Sequence, residues 1–405
     1  MEIKFNDEQA LRVFRILNDL WVNQEKGGLF KGVILPQDLP GVVPQDPQKL
    51  IYFLFYAAPS MRGGIISEVP FRLLNDVQQR HPGILDPYEI CRKWSQKRIQ
   101  RELEKSARRM LLDKASRTET LLLFPELNAK KKNGKKKKTF KIDDWSQAWK
   151  ANSHLLIDYF QGDPLKIYEG ATSFEEVFAR IDTKNKHNGK IGLVGIRRKI
   201  FSLLTIWYQE KNFIPQFPCP IPVDFQADRV LWQTESITII DPYLPTWKSV
   251  YPKEMKGLPS FRIKESFVNE VAWWSEKILK ENNISHLHIN PAIWVLGRDL
   301  CGNSFQNSAS ERKSDNMRLV DSARLKTDPT LWPARYQNPC FICPLEKLCT
   351  GSVSWGPHYR WGILTRAKRV PYPYTPGYPQ AILPGIEPRD LIKIRFKTKR
   401  RKTPK

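Results

Sequence analysis

A mainly α-helical fold is predicted by three features of the sequence. Apolar residues recur three and four positions apart through most of the first half. Residues that cap helices stand in front of those stretches. Strand character is confined to one short run, residues 236–240 (Ser-Ile-Thr-Ile-Ile), at the end of a stretch open to either helix or strand.

Residues 6–21 open with an Asn/Asp cap signal and place Leu11, Val13, Phe14, Leu17, Leu20 and Trp21 at helical spacing. After a Gly/Pro-rich loop, residues 27–47, the apolar segment 48–58 reads as a buried helix and 70–80 as another. Residues 88–112 read as one long charged helix. A lysine-rich stretch between Phe124 and Phe140 reads as a loop, and residues 144–161, 173–181 and 198–209 complete the helical series. Pro215, Pro218, Pro220 and Pro222 then force an extended loop. Residues 226–240 are ambiguous between helix and strand, while 266–281 and 291–300 read as helices. Residues 302–338 are polar with little periodicity, and the chain after Cys349 is rich in Pro, Tyr and Trp, as in an extended wrap or small module. No internal repeat is present.

The charge points to a polyanionic partner. The 405 residues carry 66 Lys+Arg against 42 Asp+Glu, a formal charge of +24. Seven of those charges sit at Lys130, Lys131, Lys132, Lys135, Lys136, Lys137 and Lys138, and eight more lie in the tail from Lys393 to Lys405. Fifteen of twenty-four are thus in two like-charge blocks, which leaves +9 on the body. Such blocks serve either as solvated loops or as arms that track nucleic-acid backbone. The longest apolar run, residues 50–58, is far short of the roughly 20 that span a bilayer. An acidic, polar start is no secretory signal. A soluble chain with no membrane partner, cytoplasmic or nucleoid-associated, is expected.

Six cysteines occur: Cys91, Cys219, Cys301, Cys340, Cys343 and Cys349. The last three crowd into ten residues, a spacing that favours a metal or cluster site over a disulfide framework. Cys91 and Cys219 are left as buried or partly exposed thiols. Of the histidines only His286 and His288 are close, and on a strand they would share a face as surface or packing residues. Aromatics of the C-terminal region, Trp355 to Tyr378, form either a satellite cluster or a base-stacking surface.

Two short segments carry candidate chemistry. Leu193-Val194-Gly195-Ile196-Arg197-Arg198-Lys199 is a glycine turn entering a helix, which aims backbone N–H groups at a phosphate or is a plain loop. Val223-Asp224 follows the proline loop, with Arg229-Val230 shortly after, and Asp224 there is either a helix cap or a functional carboxylate.

Taken with the cysteines, these segments resemble the endonuclease III branch of the helix-hairpin-helix DNA glycosylases. That family has a Leu-Pro-Gly-Val-Gly-Arg-Lys hairpin, a helix, and then a Val-Asp segment ending in Arg-Val. Leu193, Gly195, Arg198, Lys199, Val223, Asp224, Arg229 and Val230 stand at matching positions. Cys340, Cys343 and Cys349, with Pro344 and Leu345 between, have the spacing of the last three ligands of the family's [4Fe–4S] loop. Cys301 follows Gly297-Arg298 as the first ligand would, although 38 residues separate it from Cys340. Zn²⁺ also accepts four thiolates and stays open as the alternative. Motif-level similarity covers about a quarter of the chain.

The resemblance implies a two-lobed helix-hairpin-helix glycosylase-like fold with an iron–sulfur loop. Residues 1–47 would belong to the cluster-side lobe, and 48–224 would form a six-helix lobe holding the hairpin and a basic insertion at about 125–140. Residues 225–351 would complete the cluster-side lobe, with an insertion at 302–339, and 352–405 would be an extension with a basic tail. It implies a monomer that flips a modified or damaged base out of double-stranded DNA into a pocket between the lobes. Leu193, Gly195, Ile196, Arg197 and Arg198 would meet the DNA. Asp224 would stabilise the oxocarbenium-like sugar, and Lys199 would attack C1′ to form a Schiff base that permits strand scission.

Departures bear on specificity. Val194 replaces the hairpin proline, Arg197 its second glycine, and Gln226 a residue that is often His in the family. The loop from Lys199 to Asp224 is longer than usual, and Ala57-Ala58-Pro59-Ser60 stands where the family commonly has a wedging Gln. An unusual base is therefore expected. An enzyme that alters a base such as a deazapurine without excising it, and a non-catalytic DNA-binding protein, are the alternatives.

Overall fold

The computed structural model describes residues 2–26, 29–61, 68–112, 142–182, 192–240, 265–297 and 343–349. The lysine run, Cys301, Cys340, the insertion at 302–339 and the extension from 352 lie outside these residues.

The described residues are mainly helical. In chain order the helices are α1 (Asp7–Val22), α2 (Pro47–Ala57), α3 (Glu68–Arg80), α4 (Pro87–Lys93), α5 (Gln96–Leu112), α6 (Ile142–Phe160), α7 (Phe174–Ile181), α8 (Arg198–Glu210), α9 (Phe225–Gln233), α10 (Glu265–Glu281) and α11 (His286–Val295). Strands β1 (Glu2–Phe5) and β2 (Ile237–Ile240) pair antiparallel, with Glu2 opposite Ile240 and Phe5 opposite Ile237. The chain divides into two compact units, Met1–Val33 with Val223–Lys405, and Ile34–Pro222. The boundaries drawn from sequence stand at 47 and 224, against divisions after Val33 and Pro222 here.

In the first unit, α1 starts where the Asn6 side chain accepts the Gln9 N–H at 3.1 Å. Its buried stripe of Ala10, Val13, Phe14 and Leu17 packs on α10 and α11. Phe5 stacks on Trp274 with centroids 4.7 Å apart, and the Trp274 indole N–H donates to Asp7 at 2.7 Å. β1 was not expected, because four residues of mixed polarity carry little periodicity.

Helix α11 begins at His286, five residues ahead of the expected start at Pro291. Ser285 caps it, accepting the Leu287 N–H at 3.3 Å, and Pro291 lies inside the helix. His286 and His288 are therefore helical, and residues two apart on a helix do not share a face. The His288 ring meets the Asn18 side chain at 3.0 Å.

In the second unit, α2 is the central helix, with Leu50, Ile51 and every residue from Phe53 to Ala57 buried. The Tyr208 hydroxyl donates to the Ile51 carbonyl at 2.8 Å, and the Trp145 indole N–H donates to the Tyr56 carbonyl at 2.8 Å. Helices α3, α6 and α8 are thereby gathered around α2 and the short turn Ala58–Ser60 that ends it.

The long helix expected over 88–112 is two helices, α4 and α5. Trp94 breaks the run with extended backbone (φ −119°, ψ 118°), and Ser95 restarts it by accepting the Arg98 N–H on its hydroxyl at 3.2 Å. The break seats the Trp94 ring against His81 at 4.9 Å and under the Arg98 guanidinium at 4.0 Å.

Candidate nucleic-acid interface

Leu193 and Ile196 are buried, and the Ile196 N–H donates to the Leu193 carbonyl at 3.3 Å, closing a four-residue turn. Gly195, its third residue, has φ +77°, which a turn of this kind requires and a side chain disfavours. The fully buried Asn152 of α6 clamps the second residue. Its Oδ1 accepts the Val194 N–H at 2.7 Å, and its Nδ2 donates to the Val194 carbonyl at 3.0 Å.

The chain leaves the turn through Arg197, exposed and extended (φ −96°, ψ 175°), and enters α8 with no side-chain cap on the first helical turn. The first N–H groups of a helix have no acceptor inside it, so an uncapped start suits an anion. Gly195 adds a further N–H that has no acceptor among the described residues.

The expected contact residues divide into three kinds. Leu193 and Ile196 anchor the turn with buried side chains, so only their backbone faces outward chemistry. Arg197 is exposed beside it. Arg198 is held within the protein: both terminal nitrogens donate to Glu175, one at 2.8 Å, and the guanidinium carbon lies 5.2 Å from the Phe174 ring and 5.3 Å from that of Phe178. This arginine braces α8 against α7. Lys199, second residue of α8, is half-buried with no ion-pair partner among the described residues.

The proline-rich loop runs back along α8. The Gln209 amide donates to the carbonyls of Pro215 at 3.3 Å and Phe217 at 2.9 Å, and the Ser202 hydroxyl donates to that of Pro220. Cys219 is buried beside Ser202, with 3.5 Å between Sγ and Oγ. Pro220 thus lies one turn from the start of α8, and this unit ends at Pro222. Asp224 follows two residues later in the sequence.

In the other unit, Asp224 caps α9. Its Oδ1 accepts the N–H groups of Gln226 at 2.8 Å and Ala227 at 3.0 Å, and Oδ2 has no hydrogen-bond partner among the described residues. Gly297, just past α11, lies against this helix start. A Cβ there would stand 2.5 Å from the Gln226 carbonyl oxygen. The residue was singled out by sequence as a neighbour of Cys301, and its close approach to the Asp224 turn was not foreseen.

Cys343 and Cys349 are half-buried at the two ends of a short loop. Leu345 between them is buried, and the Leu348 N–H donates to its carbonyl at 2.9 Å. The Gln9 amide of α1 donates to the Leu348 carbonyl at 3.1 Å and to the Thr234 carbonyl, after α9, at 2.8 Å. One side chain therefore ties the two-cysteine loop to the end of the helix that Asp224 caps. Neither Gln9 nor Asn152 was legible in sequence, since a polar residue inside a helical stretch carries no mark of its long-range partner. The two-thiol loop suits a tetrathiolate site in donor type; the other two candidate ligands, Cys301 and Cys340, lie outside the described residues.

Among the described residues no helix is long and apolar enough to cross a membrane. Compared with family models, curated proteins and solved structures, the chain matches none.

Proposed function

We propose that the chain is a nucleic-acid base-processing enzyme, a DNA glycosylase with lyase activity that acts on a modified or damaged base flipped out of duplex DNA. The observation that carries this reading is the Asn152-clamped turn at Gly195, which opens directly into the uncapped start of α8 with Lys199 in its first turn.

The Gly195 N–H and the first amides of α8 bind a backbone phosphate, and Arg197 adds charge beside them. Asp224 keeps Oδ1 on the α9 cap and turns the Oδ2 charge to the developing oxocarbenium ion. Lys199, as the free amine, attacks C1′ as the C1′–N bond to the base breaks. Loss of a proton and ring opening give a Schiff base, from which β-elimination cuts the strand. Cys301, Cys340, Cys343 and Cys349 would hold a [4Fe–4S] cluster, with Zn²⁺ as the alternative. That group would order the loop and take no part in these steps. A monomer in the cytoplasm or on the nucleoid fits this role.

The test is incubation with duplex DNA carrying a panel of lesions and modified purines, with and without borohydride, followed by mass analysis. Free base and a covalent adduct are expected. Free base with no adduct removes Lys199 from catalysis. A changed base still on its sugar would replace excision by base modification, and binding with no chemistry would leave a DNA-binding protein.

A further inference from the structure

Residues 92–109, spanning the α4–α5 junction and most of α5, contain eight Lys and Arg against two Glu, a net +6. This is a quarter of the chain's charge excess on 18 residues. The distribution of partners around α5 is uneven. Glu102 is buried and takes Lys105 at 2.6 Å, His81 at 3.1 Å and Arg80. Asp76 of α3 takes Arg80 at 3.2 Å and Arg109 at 3.4 Å. The acids near this helix are thus consumed along the side where α5 meets α3. Lys97, Arg101 and Arg108 are exposed and have no hydrogen-bond or ion-pair partner among the described residues.

Those three residues form one line. Spacings of four and seven residues place them within about 40° of one another around the helix, over a length of about 16 Å. Glu104, which accepts from Gln100 at 3.0 Å, is the acid at the edge of that line. Ile99, Leu103 and Ala107 of α5 are fully buried on the opposite side.

We propose that Lys97, Arg101 and Arg108 form a second phosphodiester-backbone contact surface, separate from the hairpin at Gly195. The inference rests on the nucleic-acid-binding part of the reading above and not on base excision. Separation follows from α6. Its Lys150 donates to the carbonyls of Ile90 (2.9 Å) and Cys91 (3.0 Å) in α4, while Asn152, two residues on, clamps the hairpin. Two residues turn a helix by about 200°, so the α4 side and the hairpin occupy opposite flanks of α6. A line of point charges with no aromatic or concave feature suits phosphates strung along a strand, a contact that positions without reading sequence. An anionic lipid surface fits worse, because a helix lying on a membrane buries a large apolar face in it, and Ile99, Leu103 and Ala107 of α5 are already buried in the protein.

The test is the salt dependence of binding to a duplex of about 40 base pairs, read beside single-stranded RNA and phosphatidylserine vesicles. Each neutralised phosphate adds about 0.9 to the slope of log affinity against log salt. The triple variant Lys97→Gln, Arg101→Gln, Arg108→Gln is expected to lower that slope by about 2 to 3 on DNA. Lys49→Gln, Lys277→Gln and Lys280→Gln together, three exposed lysines elsewhere, are expected to leave it unchanged. The triple variant Lys97→Arg, Arg101→Lys, Arg108→Lys preserves charge and is expected to restore the slope, which excludes misfolding as the cause. An unchanged slope in the Gln triple, an equal fall in the control triple, or a loss seen on vesicles and not on DNA overturns the inference. A larger loss on RNA than on DNA assigns the same surface to RNA. DNA binding that depends on the stripe in a protein that releases no base would sink the glycosylase reading and leave this surface standing.

Discussion

Asn152 holds the Val194 peptide from both sides, accepting its N–H at 2.7 Å and donating to its carbonyl at 3.0 Å. Both hydrogen bonds are made by one fully buried side chain, so truncating it removes both partners of the Val194 peptide at once. Asn152→Ala should cost about 1–3 kcal/mol in urea unfolding, the range for leaving buried groups unpaired. DNA affinity should fall with it, by roughly tenfold for each 1.4 kcal/mol that reaches the bound state.

Gly195 tests the turn from the other side. Its φ of +77° costs an L side chain roughly 1–2 kcal/mol. Gly195→Ala should lower stability by about that amount, and duplex affinity should drop while the helical circular-dichroism signal is kept. An equal loss in Gly170→Ala, another positive-φ glycine of this unit, would mean that the affinity change merely follows stability.

Gly297 is held against the start of α9. The Cβ of Gly297→Ala would approach the Gln226 carbonyl oxygen to 2.5 Å, backbone that cannot swing aside as a side chain would. Overpacking of this kind costs about 1–3 kcal/mol. Since the displaced backbone adjoins the Asp224 cap, base release should fall more than the stability loss explains, measured at a temperature where the variant is fully folded.

Glu102 makes the fold acid-sensitive. Burial alone would raise its pKa, but hydrogen bonds from Lys105, His81 and Arg80 outweigh this and hold it down to about 2. A carboxylate with a depressed folded value stabilises above its unfolded pKa, about 4.3, and loses that contribution as pH falls toward 2. Stability should therefore decline from about pH 5 downward by up to about 3 kcal/mol from this group, and Glu102→Gln should flatten that limb of the profile.

Glu210 acts in the opposite sense. Burial pushes its carboxyl up to about 8, with Asp38 adding to the rise, against the Gln37 amide that donates to it at 3.0 Å and the charge of Lys211. The neutral acid suits its site, so its contribution is fully present below about pH 4.3 and is lost as pH rises through 8. Glu210→Gln should remove this loss and make the protein more stable than the parent at pH 9, read by thermal unfolding.

Most helices were legible because their caps and apolar faces are local features. Asn6, Ser173 and the apolar segment over α2 each mark an element within a residue or two of where it lies. Two of the misreadings have causes distant in sequence, and one is local. Trp94 breaks α4 from α5 to reach His81 and Arg98, and a charged amphipathic run shows no sign of that partner. Pro291 looked like a helix start because proline is favoured there, but Ser285 had already opened the helix. β1 exists only because residues 237–240 lie beside it. At the site, the glycine turn and the Asp224 cap were visible as patterns. The division of labour among the arginines was not, since Arg198 matches a motif position and yet spends its guanidinium on Glu175 and two phenylalanine rings.

Asp224→Asn, assayed for base release from lesion-bearing duplex DNA, bears most directly on the proposal. Asparagine keeps a side-chain oxygen to cap α9, so stability should stay within about 0.5 kcal/mol, whereas Asp224→Ala should lose about 1 kcal/mol. If the carboxylate carries the chemistry, Asp224→Asn binds DNA as the parent does and releases base at least about 100-fold more slowly, the lower bound for losing a positioned catalytic group. Base release at the parental rate by a folded Asp224→Asn protein would reduce Asp224 to a helix cap and contradict the proposed site.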